Sequence, residues 1–394
     1  MSRKSVIAIL LVLAFALTAA AGCAAPTADV NNAPTAPATS SEEDVIKIGV
    51  VSPLTGGTAL MGAMETEGFN LALDEINAKG GVLGKQLKII QLDDSTTPEG
   101  GVSGVRQLIE QEKVAIITGC SNSQIALAEK EITRDRIFQF VTGAQVEAIT
   151  SEGHKWLVNG NSTVFDYASG LGHFLLDKFQ PKRVGIYVEN TDWGHDSVDI
   201  FTKIVEEEYP DVEIVCTVWY SQSDADLTSS LTQVKAANPD LIYTMAALMS
   251  QIPQVYKQMN ELGMDSIIRV HTSGQIISSV IEASDGLMEG IYTADLYHHD
   301  IDNEMNKEFV KKFIERYGYP PEKISALAYM DLIISAQAIE EAGSPTDYDK
   351  IVEIIKSRPW PSVMSNDMDF DETGRSHVQP VLLQVVNGQL EMVK

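Results

Sequence analysis

Residues 45–53 read Val45-Ile46-Lys47-Ile48-Gly49-Val50-Val51-Ser52-Pro53. So many β-branched residues in one short run, closed by a proline that cannot donate to a ladder, predict a strand buried on both faces. The segments after this strand decide the fold class. Glu67–Ala78 carries Phe69, Leu71, Ala72 and Ile76 at helical spacing and stops at Gly80-Gly81. Gln86–Leu92 then reads as a strand, Glu99–Glu110 as a helix, Val114–Thr118 as a strand, Gln124–Arg134 as a helix and Ile137–Val141 as a strand. A second round comes next, with helices at Tyr167–Phe179, Ser197–Tyr209 and Leu227–Ala237 and strands at Val184–Val188, Val212–Trp219 and Leu241–Met245. Short apolar strands alternating with amphipathic helices imply α/β units with parallel sheets covered on both faces. Two such rounds of Rossmann-like size predict two lobes.

The chain of 394 residues is long enough for two or three cores. Its 29 Lys+Arg against 55 Asp+Glu give a net charge of −26, which repels phosphate backbones and excludes nucleic-acid binding as a main role. The start is an address: Arg3 and Lys4 precede an apolar run from Val6 to Ala21, and Ala20-Ala21-Gly22 stand before Cys23. This order resembles a bacterial lipoprotein box, with Ala20 where that box usually has Leu. Residues 1–22 are therefore expected to be a signal peptide and Cys23 the lipidated first residue, ordinary secretion being the alternative. Residues 23–44, rich in Ala, Pro, Thr, Ser and Asn, read as a tether to the membrane. Cys120 and Cys216 are read as small packed residues, since nothing in the sequence brings them together.

In open α/β sheets ligands bind beyond the carboxyl ends of the strands. Gly119-Cys120-Ser121-Asn122-Ser123 lies there and leads into a helix. Ser and Asn at a helix start cap orphan N–H groups, and the same amides, with roughly +0.5 of helix-dipole charge, can cradle a carboxylate.

Several stretches together are similar to the periplasmic leucine/isoleucine/valine-binding protein family. They are Ile46-Lys47-Ile48-Gly49-Val50, Thr55-Gly56 with Ala59 and Gly62, Glu75-Ile76-Asn77-Ala78-Lys79-Gly80-Gly81, Asp93-Asp94 with Pro98, Asn238-Pro239-Asp240, and Phe370-Asp371 with Gly374. The resemblance runs from about residue 45 to the C-terminus. It implies a type I periplasmic-binding-protein fold: two lobes, a three-segment hinge and a ligand in the cleft. Lobe 1 is then expected over 45–161 plus 293–360, and lobe 2 over 162–292 plus 361–394.

Carried over, the family's carboxylate-binding serine falls on Ser123, or on Asn122 or Ser121 if the register slips. Its next ligand loop falls on Gly143-Ala144-Gln145, its aromatic wall on Trp193 before Gly194, and its ammonium-binding position on Ser273. Met61 is read first as a packing residue, with a place in the ligand pocket as the alternative. The chain departs from the amino-acid-binding pattern in having Gln145 for Thr, Leu248 where an aromatic residue often sits, and Ser273 for the ammonium-binding Glu. A buried ammonium needs a paired acid. Either Asp192 or Asp295 supplies it, or the ligand is an amide or a simple carboxylate.

Enzyme motifs are absent from this reading. The 119–123 loop is not Gly-x-Ser-x-Gly, and Gly170-Leu171-Gly172 lacks both the third glycine and the preceding strand of a dinucleotide site. His298-His299-Asp300 with Asp302 suggests no metal site, adjacent histidines being expected to point apart. No cofactor is implied. The resemblance implies an exported lipoprotein, monomeric, that hands a small ligand, a branched-chain-like amino acid or a related amide or carboxylate, to the permease of an ABC importer; a sensory receptor presenting the same liganded state to a signalling protein is the alternative.

Overall fold

The computed structural model describes residues 45–393 except Glu152, Ala247 and Ser273. The expected signal peptide, tether and Cys23, and the expectation for Ser273, lie outside the described residues.

Strand β1 (Val45–Ser52) is the hub of the first sheet. It pairs in parallel with β2 (Gln86–Asp93) on one side and β3 (Ile116–Gly119) on the other, so Ile48 stands between Ile89 and Ile116. β4 (Gln139–Val141) and β5 (Leu157–Asn159) extend it in parallel to the order β2-β1-β3-β4-β5. Helices α1 (Ala59–Ala78), α2 (Pro98–Gln107), α3 (Ser123–Thr133) and the short α4 (Ala148–Ser151) carry the chain between these strands. Ile48, Val50, Ile116 and Phe140 are fully buried, as two-sided covering of a parallel sheet requires. Helix α1 starts at Ala59, earlier than the expected Glu67, because Gly62 and Glu65 interrupt the apolar period on a face that is nevertheless buried.

The second lobe opens with α5 (Val164–Phe179), whose Thr163 and Asp166 form a reciprocal capping box. Then come β6 (Arg183–Glu189), α6 (Asp192–Glu208), β7 (Glu213–Tyr220), α7 (Thr228–Ala236), β8 (Leu241–Met245), α8 (Ile252–Glu261), β9 (Ile268–His271), α9 (Ser278–Ala283) and β10 (Tyr292–Asp295). After the return of the chain to the first lobe through α10 (Glu304–Tyr317), α11 (Lys323–Ala342) and α12 (Tyr348–Lys356), β11 (Val381–Val386) and β12 (Gln389–Met392) complete the second sheet. Its order is β12-β11-β10-β9-β8-β6-β7, parallel except at β11, which runs antiparallel to both neighbours.

Two crossings fall later than the expected boundaries. Thr293, Ala294 and Asp295 pair with β11, so the second crossing comes after Asp295 instead of preceding residue 293. Helix α10 then packs on the first lobe, where Lys312 Nζ lies 3.0 Å from Glu75 Oε2. Residues beyond 360 also remain with the first lobe: Arg375 bridges Asn159 at the sheet edge, and the Phe370 ring stands edge-on to Phe140 at 5.7 Å. The third crossing therefore comes near Val378, which exchanges two 2.9 Å hydrogen bonds with the hydroxyl of Ser162 in the first crossing. Cys120 and Cys216 are both free thiols; Cys120 is buried and Cys216 only half-buried. No helix among the described residues is long and apolar enough to cross a membrane.

Candidate functional site

The loops at the carboxyl ends of both sheets face one another across a cavity of about 100 Å³. Loops after β1, β2, β3 and β4 supply one wall and those after β6, β7, β8 and β9 the other, as the strand-end rule requires. The space suits a compact solute. Every described residue lining it is uncharged.

The first wall is built on the turn after β3. Cys120 takes a left-handed φ of 68°, uncommon without glycine, while its N–H bonds Val51 O at 2.9 Å. The turn aims Ser121 into the cleft and downward at once, its hydroxyl meeting the carboxyl of Glu65. Asn122 is the N-cap of α3, accepting from Gln124 N at 3.0 Å and Ile125 N at 3.4 Å. Ser123 opens that helix, and its Oγ accepts from the N–H groups of Gln145 and Val146 at 3.2 and 3.4 Å. Both lone pairs of Ser123 thus hold the 143–146 loop, and its O–H is what it can offer to a ligand. Gly143 lies so close to the Ser121 side chain that a Cβ there would stand 2.4 Å from Ser121 Oγ. Glycine is the residue that fits.

The 143–146 loop is gripped from behind by Arg375, among the largest fully buried side chains. Its guanidinium donates to Val146 O at 2.8 Å, Asn161 O at 3.3 Å, Ala144 O at 3.4 Å and Thr150 Oγ1 at 3.3 Å. Burial pulls its pKa down to about 10, which leaves it charged at neutral pH. One side chain near the third crossing thereby ties a cleft loop to the first crossing.

From the second lobe, Trp193 lies in the first turn of α6, capped by Thr191, whose Oγ1 accepts from Gly194 N at 3.1 Å. A Cβ on Gly194 would fall 2.2 Å from Glu189 O, so glycine is what lets this turn bring the indole to the cleft. Trp193 Nε1 donates to Gln145 Oε1 at 2.7 Å with both side chains buried, a direct bond between the lobes. Behind this wall, Glu189 accepts from the Gln222 amide and, at 3.4 Å, from Leu248 N. Gln275, nine-tenths buried and lining the cavity, has an Oε1 with no hydrogen-bond partner among the described residues.

The structure brings Met61, Ser121, Asn122, Ser123, Gly143, Gln145 and Trp193 to one cavity. Neither acid considered for an ammonium reaches it. Asp192 is an exposed first residue of α6, and Asp295 is buried with Lys323, Nζ to Oδ1 3.5 Å, under the second crossing. Sequence reasoning missed Thr58, Thr96, Thr191, Gln222 and Gln275, whose sole signal was a place just after a strand or at a helix start. It also missed Glu65, which precedes the helix expected from Glu67, and Arg375, in a stretch with neither strand nor helix periodicity. His298 and His299 do not point apart as expected: lying outside regular structure, their rings stack at 4.3 Å. They and Asp300 could bring one ligand atom each within 4.8 Å. However, both ring nitrogens of His298 are taken, by Leu390 O at 3.0 Å and by Asp300 N at 3.2 Å, so the cluster has no spare lone pair there.

Comparison with known proteins bears on the cleft. The family described as periplasmic binding protein matches residues 45–389. A leucine-, isoleucine-, valine-, threonine- and alanine-binding protein of Pseudomonas aeruginosa is 23% identical over 340 residues, 84% of this chain and 87% of the relative. Among solved structures, a leucine-binding protein from Thermotoga maritima superposes with a TM-score of 0.82 at 25% identity, covering 89% of this chain and 98% of the other. A solute-binding protein of an ABC transporter from Rhodopseudomonas palustris, in complex with 3,4-dihydroxybenzoic acid, has a TM-score of 0.80 at 22% identity, covering 89% and 96%. The family is one of extracytoplasmic solute-binding proteins rather than enzymes. With a match that spans nearly all of the described residues, the chain belongs to the periplasmic binding protein family and has the type I fold of its leucine/isoleucine/valine-binding relatives.

Proposed function

We propose that this protein captures a small carboxylate or amide without an ammonium group and delivers it to an ABC importer, working as a monomer anchored through a lipid on Cys23. The observation that carries the ligand class is the cavity lining, which is polar yet uncharged on every described side. A zwitterionic amino acid buried there would leave its ammonium without an acid, at a cost of several kcal/mol. A carboxylate is served by the O–H groups of Ser121 and Ser123, the Asn122 amide and the N-terminus of α3. At the far wall Gln275 Oε1 asks for a neutral donor, such as a hydroxyl or an amide N–H. Trp193 and Met61 supply apolar contact. One relative's complex with 3,4-dihydroxybenzoic acid supports a ligand of this kind within the fold.

The test is a thermal-shift panel of branched-chain, aromatic and acidic amino acids, their amides, and hydroxylated and plain carboxylates. A ligand at 100 times its Kd adds about 2.7 kcal/mol, a clear shift. Hydroxylated carboxylates or amides are expected to shift the melting temperature most; a dominant response to leucine would refute the ligand class. Mass spectrometry of the membrane-extracted protein, with Cys23→Ala released to the medium, tests the anchor.

A further inference from the structure

Glu65 lies on α1 directly beneath the cleft, with no exposed surface. Its Oε2 meets Ser52 Oγ at 2.5 Å and its Oε1 meets Ser121 Oγ. The titratable groups facing this cluster are Asp94 from the turn after β2, Cys120 from the turn after β3, Glu129 from α3 and Asp331 from α11. All are acidic. Among the described residues, no lysine, arginine or histidine hydrogen-bonds or ion-pairs with Glu65.

Counting hydrogens leaves two arrangements for the cluster, and burial among acids, with no cation facing it among the described residues, favours the neutral one. Ser52 is fully buried and its hydroxyl meets Glu65, so the Ser52 proton goes to Oε2. An ionised Glu65 would then take the single Ser121 proton on Oε1, leaving Ser121 with lone pairs alone to present to the cavity. A neutral Glu65 carries its own proton on Oε1 and donates it to Ser121 Oγ. The Ser121 O–H is then free to point into the cleft.

We infer that Glu65 is a positioning residue of the ligand site: it stays protonated beneath Ser121 and so makes Ser121 a hydrogen-bond donor to an anionic ligand. The inference rests on the carboxylate reading of the cleft. Burial pushes the Glu65 carboxyl up to about 8; the Ser121 and Ser52 hydroxyls pull it down, and Asp94 pushes it further up. Raising the pH past that value removes the proton, turns the Ser121 hydroxyl inward and sets a negative charge next to the bound anion.

Two arms test this. Infrared difference spectra of the ligand-free protein, wild type minus Glu65→Gln, should show a protonated carboxyl C=O band at pH 7 that fades with a midpoint near pH 8. Absence of that band at pH 7 would overturn the inference whatever the ligand. In the second arm benzoate is the probe. Its affinity for wild type should fall about tenfold between pH 7 and pH 9, the factor for a single proton with a pKa of about 8. Glu65→Ala should weaken binding throughout, while Glu65→Gln, which can both donate and accept, should rescue binding at pH 7 and flatten the profile. Identical profiles for wild type and Glu65→Gln would refute the role. If benzoate binds no variant, the infrared band alone decides the protonation state of Glu65, and the thermal-shift panel decides the carboxylate reading.

Discussion

Trp193→Phe keeps an aromatic ring on the cleft wall and removes the indole N–H that bonds Gln145 Oε1 at 2.7 Å. The two ends belong to different lobes and both are buried, so the bond exists only when the lobes are closed. Depriving a buried carbonyl oxygen of such a donor costs about 1–3 kcal/mol, more than the net worth of an exposed hydrogen bond. Closure is a two-state equilibrium, and the apparent Kd rises as the closed fraction of the free protein falls. If wild type without ligand is mostly open, the whole cost appears in Kd as a weakening of about 5- to 150-fold. If it is mostly closed, part of the cost is absorbed by opening the free protein, and the radius of gyration grows instead. Isothermal titration with the strongest panel ligand, together with small-angle scattering of both ligand-free proteins, measures the two shares. A Kd within twofold of wild type and superimposable scattering curves would refute a closing role for this bond. A cycle with Gln145→Leu sharpens the result, since additive effects would mean the side chains act separately.

Other positions give sharper single outcomes. Gly143→Ala forces a Cβ to 2.4 Å from Ser121 Oγ, and overpacking of this kind costs about 1–3 kcal/mol; binding should fall at least fivefold with a lowered melting temperature, and an unaltered titration curve would contradict the close packing. Arg375→Lys keeps the charge but cannot serve four acceptors with one ammonium, so it should lower stability by roughly 3–5 kcal/mol in chemical denaturation, as for other buried charges stripped of partners. Stability should also decline between pH 6.5 and pH 8. Folded Glu65 and Glu322, burial raising them to about 8 and about 7, hold protons there that the unfolded chain has largely released once the pH exceeds 4.5, so raising the pH favours unfolding. His154 and His271, burial lowering them to about 4 and about 3, act only below 6.5, where acid destabilises. A melting temperature that climbs from pH 6.5 to 8 would contradict these burial shifts.

The repeating pattern of Val45–Val51 and its successors was enough to reveal the α/β class and the two lobes, because a strand covered on both faces leaves an unbroken apolar run. The crossings were less legible. Residues 361–376 hold Phe370 and Arg375, which pack on the first lobe, yet their sequence has neither strand nor helix periodicity to assign them. The cleft divided in the same way. Ser123 and Trp193 were marked by the family resemblance, which falls on a helix start and on an aromatic-glycine turn, and their roles as loop clasp and cross-lobe donor were not visible, because those depend on Gln145 arriving from another strand. Glu65 was hidden because it precedes the helix expected from Glu67, and the hydroxyl that meets it comes from the distant loop after β3.

The uncharged lining and the direct Trp193–Gln145 bond bear on each other. Closing two lobes over a polar cavity strips water from every side chain around it, and a stripped charge would cost far more than a stripped amide or hydroxyl. A cleft lined by amides and hydroxyls therefore leaves the closed, ligand-free state accessible, with Trp193 and Gln145 able to meet without a ligand between them. A ligand can shift the equilibrium only by what it binds better in the closed state than in the open one. For the ligand proposed above, that surplus comes from neutral contacts to the Gln275 wall and a carboxylate contact to the Ser121 wall made together. On the proposed ligand class, a compound that satisfies one wall therefore shifts the protein toward the closed form less than one that satisfies both, and the radius of gyration at saturation should fall from the first kind of ligand to the second.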